Sequence, residues 1–320
     1  MHILVVRTDK LGDFITALPA IYVLKQYDVN NKITVCVSPI NKALAQSCDF
    51  IDAVVVDSGQ NFVALVGELK HLKVDASITL FSNTRMALSQ MLAGIQTRIA
   101  PATKIAQIFY TTRVKQRRSQ VKMAEFEYNL ELTRTLFKDI DLEYKKPLLS
   151  FEDAPLVYDV FCKNNEIERE IVAFHVGFGG SSDANWDLNE YEILIREVLK
   201  QDKYQIVLTF GPDETELYEE MQRRLFRENI VFYLSLDGLV YFAKLVSQFK
   251  LFVSTSTGTY HVASLTGCPT MTFFGDSLFA SASRWKGVGD SNLQQYFMLP
   301  SDSTVRGRIF EDVRSELLKI

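Results

Sequence analysis

The stretch MHILVVRTDKLGDFITALPAIYVLKQ, residues 1–26, contains the pattern that decides the fold. The apolar run at residues 3–6 predicts a buried strand, and the longer apolar stretch from residue 14 predicts a helix. A turn rich in charge separates the two, and it consists of Arg7, Asp9, Lys10 and Asp13 around Gly12. A strand, a turn and a helix in this order indicate the first unit of an α/β sheet.

The rest of the chain repeats this alternation in two series. The runs that predict strands are HILVV, KITVCV, DAVVV and ASITL, then EIVAFHV, QIVLTF, IVFYL, KLFVS and PTMTFF. Amphipathic stretches lie between them, which is typical of parallel sheets covered by helices on both faces. The pattern stops after about residue 102 and restarts near residue 170. We therefore predict two α/β domains, residues 1–150 and 151–320, with the last helix packing back on the first.

Composition excludes several classes of protein. The chain has 320 residues, is 47% hydrophobic and carries a formal net charge of -4, which argues against a nucleic-acid-binding surface. No apolar run approaches the roughly 18 residues of a membrane-spanning helix, and the start lacks the pattern of a secretion leader, so we expect a cytoplasmic protein. The scattered cysteines predict buried thiols without a disulfide or zinc site: Cys36, Cys48, Cys162 and Cys268.

In open α/β sheets ligands bind beyond the carboxyl ends of the strands, so the turns there are the candidate sites. In the opening turn, Gly12 would adopt a backbone conformation closed to other residues, and Asp13 would cap the next helix. Capping explains Asp13 alone and leaves Arg7 unexplained. Pro19 should kink the following helix or mark its true start.

Two later turns suit an anion. The turn HVGFGGSS offers small residues and hydroxyl donors before a helix, as a phosphate site would, although a plain flexible loop explains it equally well. It does not have the spacing of a dinucleotide fingerprint. Its residues are Gly177, Gly179, Gly180, Ser181 and Ser182. The turn VSTSTGTYH places hydroxyl groups and His261 at the start of a helix that Gly267 and Pro269 should end.

A further turn, FGPDETEL, is acidic. Asp213 and Glu214 would complement the dipole of the helix that follows, and a carboxylate on ribose hydroxyls is the alternative. The pair Asp139 and Asp141, by contrast, follows no predicted strand, and we interpret it as a solvated turn.

These segments together resemble glycosyltransferase family 9, which includes the lipopolysaccharide heptosyltransferases. The similar segments are RTDKLGDFITALPAIYVLK, HVGFGGSSDANWDLNEYEIL, FGPDETEL, LSLDGLVYFAKLVSQFKLFVSTSTGTYHVASLTGCPTMTFFG and ASASRWKGVG, which follow one another in the family's order. The resemblance implies an α/β protein of the GT-B fold: two Rossmann-like domains facing across a cleft, the first binding acceptor and the second binding nucleotide-sugar.

The resemblance also implies the chemistry, an inverting and metal-independent sugar transfer with no cofactor. By position, Asp13 matches the catalytic base and Glu214 the acid that contacts the donor nucleotide. The donor diphosphate would lie at Gly179, Gly180, Ser181 and Ser182 and at Ser256, Thr257, Gly258 and His261. The acceptor side would include Lys10 and Gly12.

The family also implies ADP-heptose as donor and a lipopolysaccharide core or related glycan as acceptor. Two departures leave the donor's base and sugar open. Ala184 stands where well-studied members carry a lysine, and Ser256 stands where they often carry an aspartate.

A basic stretch, TTRVKQRRSQVK, has no acidic residue within it. A solvated loop is the usual explanation of such a run. In a family with anionic lipid-linked acceptors it instead predicts contacts to acceptor phosphate or carboxylate through Arg113, Arg117 and Arg118, or to the anionic inner leaflet of a membrane.

Two other functions remain open from the sequence. A sugar-nucleotide epimerase has the same two-domain architecture and would alter the donor without an acceptor. A non-catalytic nucleotide-sugar-binding subunit would bind donor and transfer nothing. A nicotinamide-dependent oxidoreductase is disfavoured by the broken fingerprint.

Overall fold

The computed structural model describes residues 1–103, 105–177 and 185–320, and it divides into two compact units, Met1–Lys145 and Lys146–Ile320. Each unit has its own parallel sheet covered by helices. The first contains β1 (His2–Arg7), α1 (Leu11–Ile15), α2 (Leu18–Tyr27), β2 (Lys32–Val37), α3 (Lys42–Gln46), β3 (Ala53–Val56), α4 (Phe62–Leu72), β4 (Ala76–Thr79), α5 (Thr84–Leu92), β5 (Thr97–Pro101), β6 (Thr112–Val114) and α6 (Glu125–Thr133).

The second unit repeats the alternation of strand and helix. It contains α7 (Ala154–Asn164), β7 (Ile171–His175), α8 (Leu188–Leu199), β8 (Gln205–Phe210), α9 (Thr215–Leu225), β9 (Ile230–Leu234), α10 (Leu239–Val246), β10 (Leu251–Thr255), α11 (Gly258–Thr266), β11 (Thr270–Gly275), α12 (Ala282–Trp285), β12 (Gln294–Leu299) and α13 (Ser303–Leu317). The α/β prediction is confirmed.

The strand order places a switch point in each sheet. The first sheet runs β3-β2-β1-β4-β5-β6 and the second β12-β11-β10-β7-β8-β9, with all pairs parallel. In each sheet the order reverses beside the first strand, between β1 and β4 and between β7 and β10. Ligands bind such sheets in the crevice at the switch point, beyond the carboxyl ends of the strands. The turns that follow β1, β4, β7 and β10 are therefore the structural candidates for function.

The central strands are buried on both faces, which explains their continuous apolar sequence. Residues 3–7 of β1 and all of β7 and β10 are buried. The sequence predicted no strand at β5, β6 or β12. Of these, β6 and β12 are edge strands of mixed polarity with partly exposed side chains. Strand β5 lies inside the sheet, but its short run TRIAP begins with two polar residues. An edge strand needs no second apolar face, so it gives only a weak apolar signal.

Helix α13 packs within its own unit. Val313 and Leu317 belong to the core of the second sheet, and the Arg314 guanidinium donates to Glu197 on α8 at 2.8 Å. The apolar face of α13 thus packs against α8 and the second sheet.

The helix ends predicted from Pro19 and Gly267 are confirmed. Pro19 lies in the first turn of α2, so it marks the true start of that helix as expected. Gly267 follows α11 with a φ of +83°, the left-handed conformation that commonly ends a helix. Cys36, Cys48 and Cys268 are buried free thiols, while Cys162 is half-buried. Within the described residues, no helix combines the length and apolarity needed to cross a bilayer.

Candidate functional site

The turn after β1 is organised around a buried arginine. Arg7 is the last residue of β1 and its side chain is only 2% exposed. Its Nε donates to Asp9 Oδ1 at 2.8 Å and its Nη2 to Asp13 Oδ1 at 2.6 Å. Its Nη1 lies 3.4 Å from Oε1 of Glu125, and the guanidinium lies 5.7 Å from the ring centre of Phe81. Three carboxylates and an aromatic ring thus surround one cation.

These partners come from separate parts of the first unit. Asp9 lies in the turn itself, Asp13 on α1, Glu125 at the start of α6 and Phe81 just after β4. Burial alone would lower the pKa of Arg7, but the three carboxylates outweigh it and raise that pKa. The guanidinium is therefore a permanent charge that joins four segments at the first switch point.

Asp9 has an unusual protonation equilibrium. Burial raises the pKa of Asp9 to about 6, with Arg7 opposing the shift and Asp13 adding to it. Its backbone carbonyl accepts hydrogen bonds from Ser38 Oγ at 3.0 Å and from Asn41 Nδ2 at 3.1 Å. The turn is therefore fixed through its main chain, and Asp9 changes charge near neutral pH.

Asp13 does not cap a helix, which corrects the sequence prediction. Helix α1 begins at Leu11 and its N-cap position is Lys10, which makes no side-chain cap. Asp13 lies in the first helical turn and turns its carboxylate to Arg7, because a buried guanidinium is a stronger donor than a solvated helix N–H. Gly12 is inside α1, so its expected special backbone conformation is also wrong.

The carboxylate of Asp13 has one engaged and one available oxygen. Oδ1 accepts from Arg7, and Oδ2 has no hydrogen-bond partner within the described part of the chain. The side chain is 20% exposed, so it can be reached from solvent. A carboxylate fixed through one oxygen with the other open has the geometry of a general base.

The basic stretch divides into a structural and an exposed part. Arg118 is half-buried, pairs with Glu125 Oε1 and donates to Asn129 Oδ1 at 3.1 Å. Arg113 lies on β6 and Arg117 precedes the short turn Arg118–Gln120, and both side chains are exposed, as is Lys10. A cavity of about 450 Å³ opens beside this stretch, and its lining includes Lys115, Gln116, Arg117, Lys122, Tyr128 and Glu131.

In the second unit, one carboxylate lies at the ends of β7 and β8. Glu214 Oε2 accepts from the Gly211 N–H at 2.7 Å and lies 3.7 Å from Nε2 of His175. A Cβ on Gly177 would occupy the space of this carboxylate. Helix α9 begins one residue later, at Thr215, so the Glu214 side chain turns back to the sheet edge and does not cap that helix.

His175 stays neutral beneath this carboxylate. It is buried at the end of β7, and its Nδ1 lies 2.9 Å from the carbonyl oxygen of Thr209. Burial lowers the pKa of His175, and Glu214 only partly opposes that shift. A neutral imidazole leaves the Glu214 carboxylate uncompensated by any close cation in the described residues.

The turn after β10 is polar and uncharged. Thr257 occupies the N-cap position of α11 and shares a hydrogen bond of 2.8 Å with the Thr259 hydroxyl. Gly258 begins the helix, and the half-buried Ser256 donates its N–H to the Phe273 carbonyl at 2.9 Å. The turn therefore presents hydroxyls and helix N–H groups, which suit an anion.

His261 lies one turn into α11 and is buried against two aromatic rings. Its ring centre lies 4.8 Å from that of Tyr260 and 6.4 Å from that of Trp285. Its Nδ1 has no hydrogen-bond partner in the described part of the structure, and burial lowers its pKa to about 4. The imidazole is thus neutral at physiological pH and can form a hydrogen bond through Nδ1.

The structure brings together some predicted residues and not others. Asp13 lies at the first switch point, and Ser256, Thr257, Gly258 and His261 lie at the second. Glu214 lies beside β7, whereas Gly179, Gly180, Ser181 and Ser182 fall outside the described residues. From the sequence, Arg7 is assigned only to shaping the acceptor pocket, together with Asp9 and Lys10, and Glu125 and His175 are not singled out. Glu125 gave no signal, because Arg7, its partner at the first switch point, is 118 residues away in the chain.

Known proteins are similar to this chain in sequence and in architecture. The model of glycosyltransferase family 9 (heptosyltransferase) matches residues 62–296. A Haemophilus influenzae protein provisionally named a glycosyltransferase is 36% identical over 310 residues, covering 93% of this chain and 89% of its own. Campylobacter jejuni lipooligosaccharide heptosyltransferase 2 is 23% identical over 279 residues, covering 86% of this chain and 82% of its own.

The fold is also found among solved structures. Escherichia coli ADP-heptose LPS heptosyltransferase II superposes with a TM-score of 0.82 at 18% identity, over 100% of this chain and 99% of that one. The likeness confirms the GT-B fold expected from the sequence, and the family match confirms the resemblance of the ordered motifs. This chain belongs to glycosyltransferase family 9 and is a glycosyltransferase.

Proposed function

We propose that this protein is an inverting, metal-independent heptosyltransferase that uses ADP-heptose and an anionic glycan acceptor of the lipopolysaccharide-core type. The observation that carries the proposal is the carboxylate of Asp13, held through Oδ1 by a buried arginine at the first switch point with Oδ2 open. A fixed, accessible carboxylate at this place suits a base that accepts the proton of a sugar hydroxyl.

In the proposed reaction the acceptor hydroxyl oxygen attacks the anomeric carbon as Asp13 takes its proton. The bond from that carbon to the diphosphate oxygen breaks, and its electron pair leaves with the nucleoside diphosphate. Attack opposite the leaving group inverts the anomeric centre. The reaction therefore needs a base on the acceptor side and a means of stabilising negative charge on the donor side.

The second unit supplies groups for that charge without a metal. The N–H groups at the start of α11, together with the hydroxyls of Ser256 and Thr257, can donate to phosphate oxygens. Glu214 keeps Oε2 on the Gly211 N–H, which leaves Oε1 for a ribose hydroxyl. The names of the E. coli and C. jejuni relatives support heptose as the sugar, and the E. coli name supports ADP as the nucleotide.

The cavity beside the basic stretch is the proposed site for the anionic part of the acceptor. Lys115, Arg117 and Lys122 contribute three cations to its lining, against one carboxylate from Glu131. The exposed Arg113 and Lys10 would extend this positive surface toward the base. The same charges suit a peripheral contact with an anionic cytoplasmic leaflet, which sedimentation with anionic and with zwitterionic vesicles would test.

The main test is Asp13→Asn, which keeps the shape and removes the base. We expect the rate of transfer to purified acceptor to fall about 10³-fold, within the range typical of general bases, with donor affinity retained. Asp141→Asn, at an exposed turn of the same unit, is the matched control. A near-normal rate in Asp13→Asn would show that the base is another residue.

Donor, metal and alternative chemistry need separate measurements. Thermal shifts with ADP-, GDP-, UDP- and dTDP-sugars should show selective stabilisation by the ADP-sugar. Addition of a metal chelator should leave the rate of sugar transfer unchanged. Product analysis without acceptor should return intact donor, whereas conversion of the donor sugar alone would indicate an epimerase.

A further inference from the structure

Arg7 uses every nitrogen of its guanidinium for a different segment of the first unit. Nε meets Asp9 in the turn, Nη2 meets Asp13 on α1 and Nη1 meets Glu125 on α6. The planar fork fixes the directions of all three contacts, which a flexible lysine ammonium would not do. The position of the Asp13 carboxylate is therefore set by groups outside its own helix.

Glu125 connects this fork to a second arginine. Its Oε1 accepts from both Arg7 and Arg118, and Arg118 Nη1 also donates to Asn129 Oδ1 at 3.1 Å. Asn129 Nδ2 donates at 3.0 Å to the carbonyl of Thr16, the residue that follows α1, and Thr16 Oγ1 donates to the Asp13 carbonyl at 2.7 Å. These contacts therefore lead from the Asp13 carboxylate, through both arginines, back to the main chain of Asp13.

The same arginine reaches the basic cavity. Arg118 Nε and Nη2 both donate to Gln116 Oε1, at 3.1 and 2.8 Å, and Gln116 lines the cavity. Gln116 in turn donates to the Tyr128 carbonyl at 2.7 Å, and the Arg118 guanidinium lies 5.5 Å from the Tyr128 ring centre. One hydrogen-bonded network thus joins a wall of the cavity to Asp13.

We propose that Arg7 and Arg118, joined through Glu125, are positioning residues that fix the Asp13 carboxylate relative to the basic cavity. This inference rests on the proposed function, in which the cavity holds the acceptor and Asp13 takes its proton. It reassigns Arg118 from an acceptor contact to a support for the base. Precise placement matters, because a displacement of about 1 Å can cost about 10²-fold in rate.

Kinetics separates positioning from binding. Arg7→Lys should lower kcat by about 100-fold and Arg118→Lys by about 10-fold, with acceptor KM changed by less than about 2-fold. Arg85→Lys is the control for Arg7, since Arg85 pairs with Asp57 elsewhere in the same unit. Arg134→Lys is the control for Arg118, because Arg134 is an exposed arginine of the same unit that pairs only at the surface, with Glu131. Unchanged kcat in both test variants would overturn the proposal.

The pH profile distinguishes positioning from a merely structural role. The charged groups that contact Arg7 or its partners include Asp9, Asp13, Glu125 and Arg118. Arg7→Gln removes the cation beside Asp13, so the acidic limb of kcat should move to higher pH. Glu125→Gln removes an anion that competes with Asp13 for Arg7, so the acidic limb of kcat should move to lower pH. If the two substitutions only disturbed packing, the acidic limbs of the two variants would not move in opposite directions.

A measurement without turnover keeps the two proposals separable. The carboxyl carbon of Asp13, assigned by its loss in Asp13→Asn, can be titrated by NMR in the wild type, Arg7→Gln and Glu125→Gln. Opposite shifts of its titration support positioning even if no donor is transferred, in which case the proposed function alone fails. If Asp13 titrates identically in all three proteins, the inference is overturned. The assignment of Asp13 as the base is then still tested by the kinetics of Asp13→Asn. If Arg7→Gln does not fold, Glu125→Gln and Arg7→Lys still decide the outcome.

Discussion

At the end of β1 a buried arginine meets three carboxylates, whereas at the end of β7 a single carboxylate meets a backbone N–H and a neutral histidine. The two sheets have the same strand order relative to their first strands, so both turns adjoin a switch point. The strand order therefore determines where each candidate site lies, and the side chains at that place determine its chemistry. The first turn holds anions of the protein itself, whereas the turn after β10 presents hydroxyls and helix N–H groups, which in the proposed function bind an anion from outside.

The contrast extends to the response to acid. In the first unit burial keeps the pKa of Asp9 high, at about 6, and in the second it keeps the pKa of His261 low, at about 4. A buried carboxyl group and a buried imidazole both resist their charged forms, but acid neutralises the first and charges the second. The two switch points should therefore respond to falling pH in opposite directions.

The largest expected effect is on the second unit. Unfolded His261 binds a proton near pH 6.5, but the folded residue does so only near pH 4, so its contribution is intact above pH 6.5. As the pH falls toward 4, about 3 kcal/mol of unfolding free energy should be lost. Urea unfolding followed by tryptophan fluorescence measures this, since Trp186 and Trp285 are both in the second unit.

His261→Phe should remove that acid sensitivity, although His175 also has a lowered pKa and will retain part of the slope. His71→Phe, an exposed histidine of α4, is the control and should leave the tryptophan-detected transition unchanged at every pH. Equal slopes in His261→Phe and the wild type would mean that folding does not lower the pKa of this histidine.

The next effect comes from placing charge in the uncharged turn. Gly258→Asp should weaken binding of the donor diphosphate by about 100-fold, because like charges repel where N–H groups should donate. Binding is measured by calorimetry with ADP-sugar. Gly307→Asp adds the same charge on α13, where a Cβ meets open space, and should bind donor normally. Normal donor binding by Gly258→Asp would move the diphosphate site elsewhere.

A smaller effect is expected where glycine makes room for a carboxylate. Gly177→Ala forces the Glu214 side chain off the Gly211 N–H, which should raise donor KM about 10-fold with kcat little changed. In a Glu214→Ala background the same substitution should have no further effect, because the atoms nearest the new Cβ are all from Glu214. Additive effects in the double variant would assign Gly177 a role of its own.

The smallest effect tests the first switch point. The raised pKa of Asp9 means that its ionised form costs stability above about pH 6, a cost relieved as pH falls toward 4. Asp9→Asn should therefore raise the unfolding free energy of the first unit by about 1 kcal/mol at pH 8 and by nothing at pH 4, since the group is a fifth exposed. Hydrogen exchange of β1 amides reports on this unit. A loss of stability at pH 8 would show that the Arg7–Asp9 ion pair outweighs burial.

Sequence patterns were sufficient for the scaffold. Apolar runs set the central strands, because parallel strands buried on both faces have no freedom to be polar. Pro19 and Gly267 marked helix ends through local backbone restrictions, and the ordered motifs identified the family. Apolar runs did not mark β5, β6 or β12: the exposed sides of the edge strands β6 and β12 impose no such pattern, and β5 is short and begins with two polar residues.

The site depended on partners that no local pattern contains. The sequence alone determined that Asp13 follows a buried strand, that hydroxyl-rich turns precede later helices and that the chain has a family 9 order of motifs. Only the tertiary structure decided that Asp13 binds Arg7 instead of capping α1, and that Arg118 supports Glu125. Glu125 lies 118 residues from Arg7 in the chain, so only folding can bring these two charges into contact.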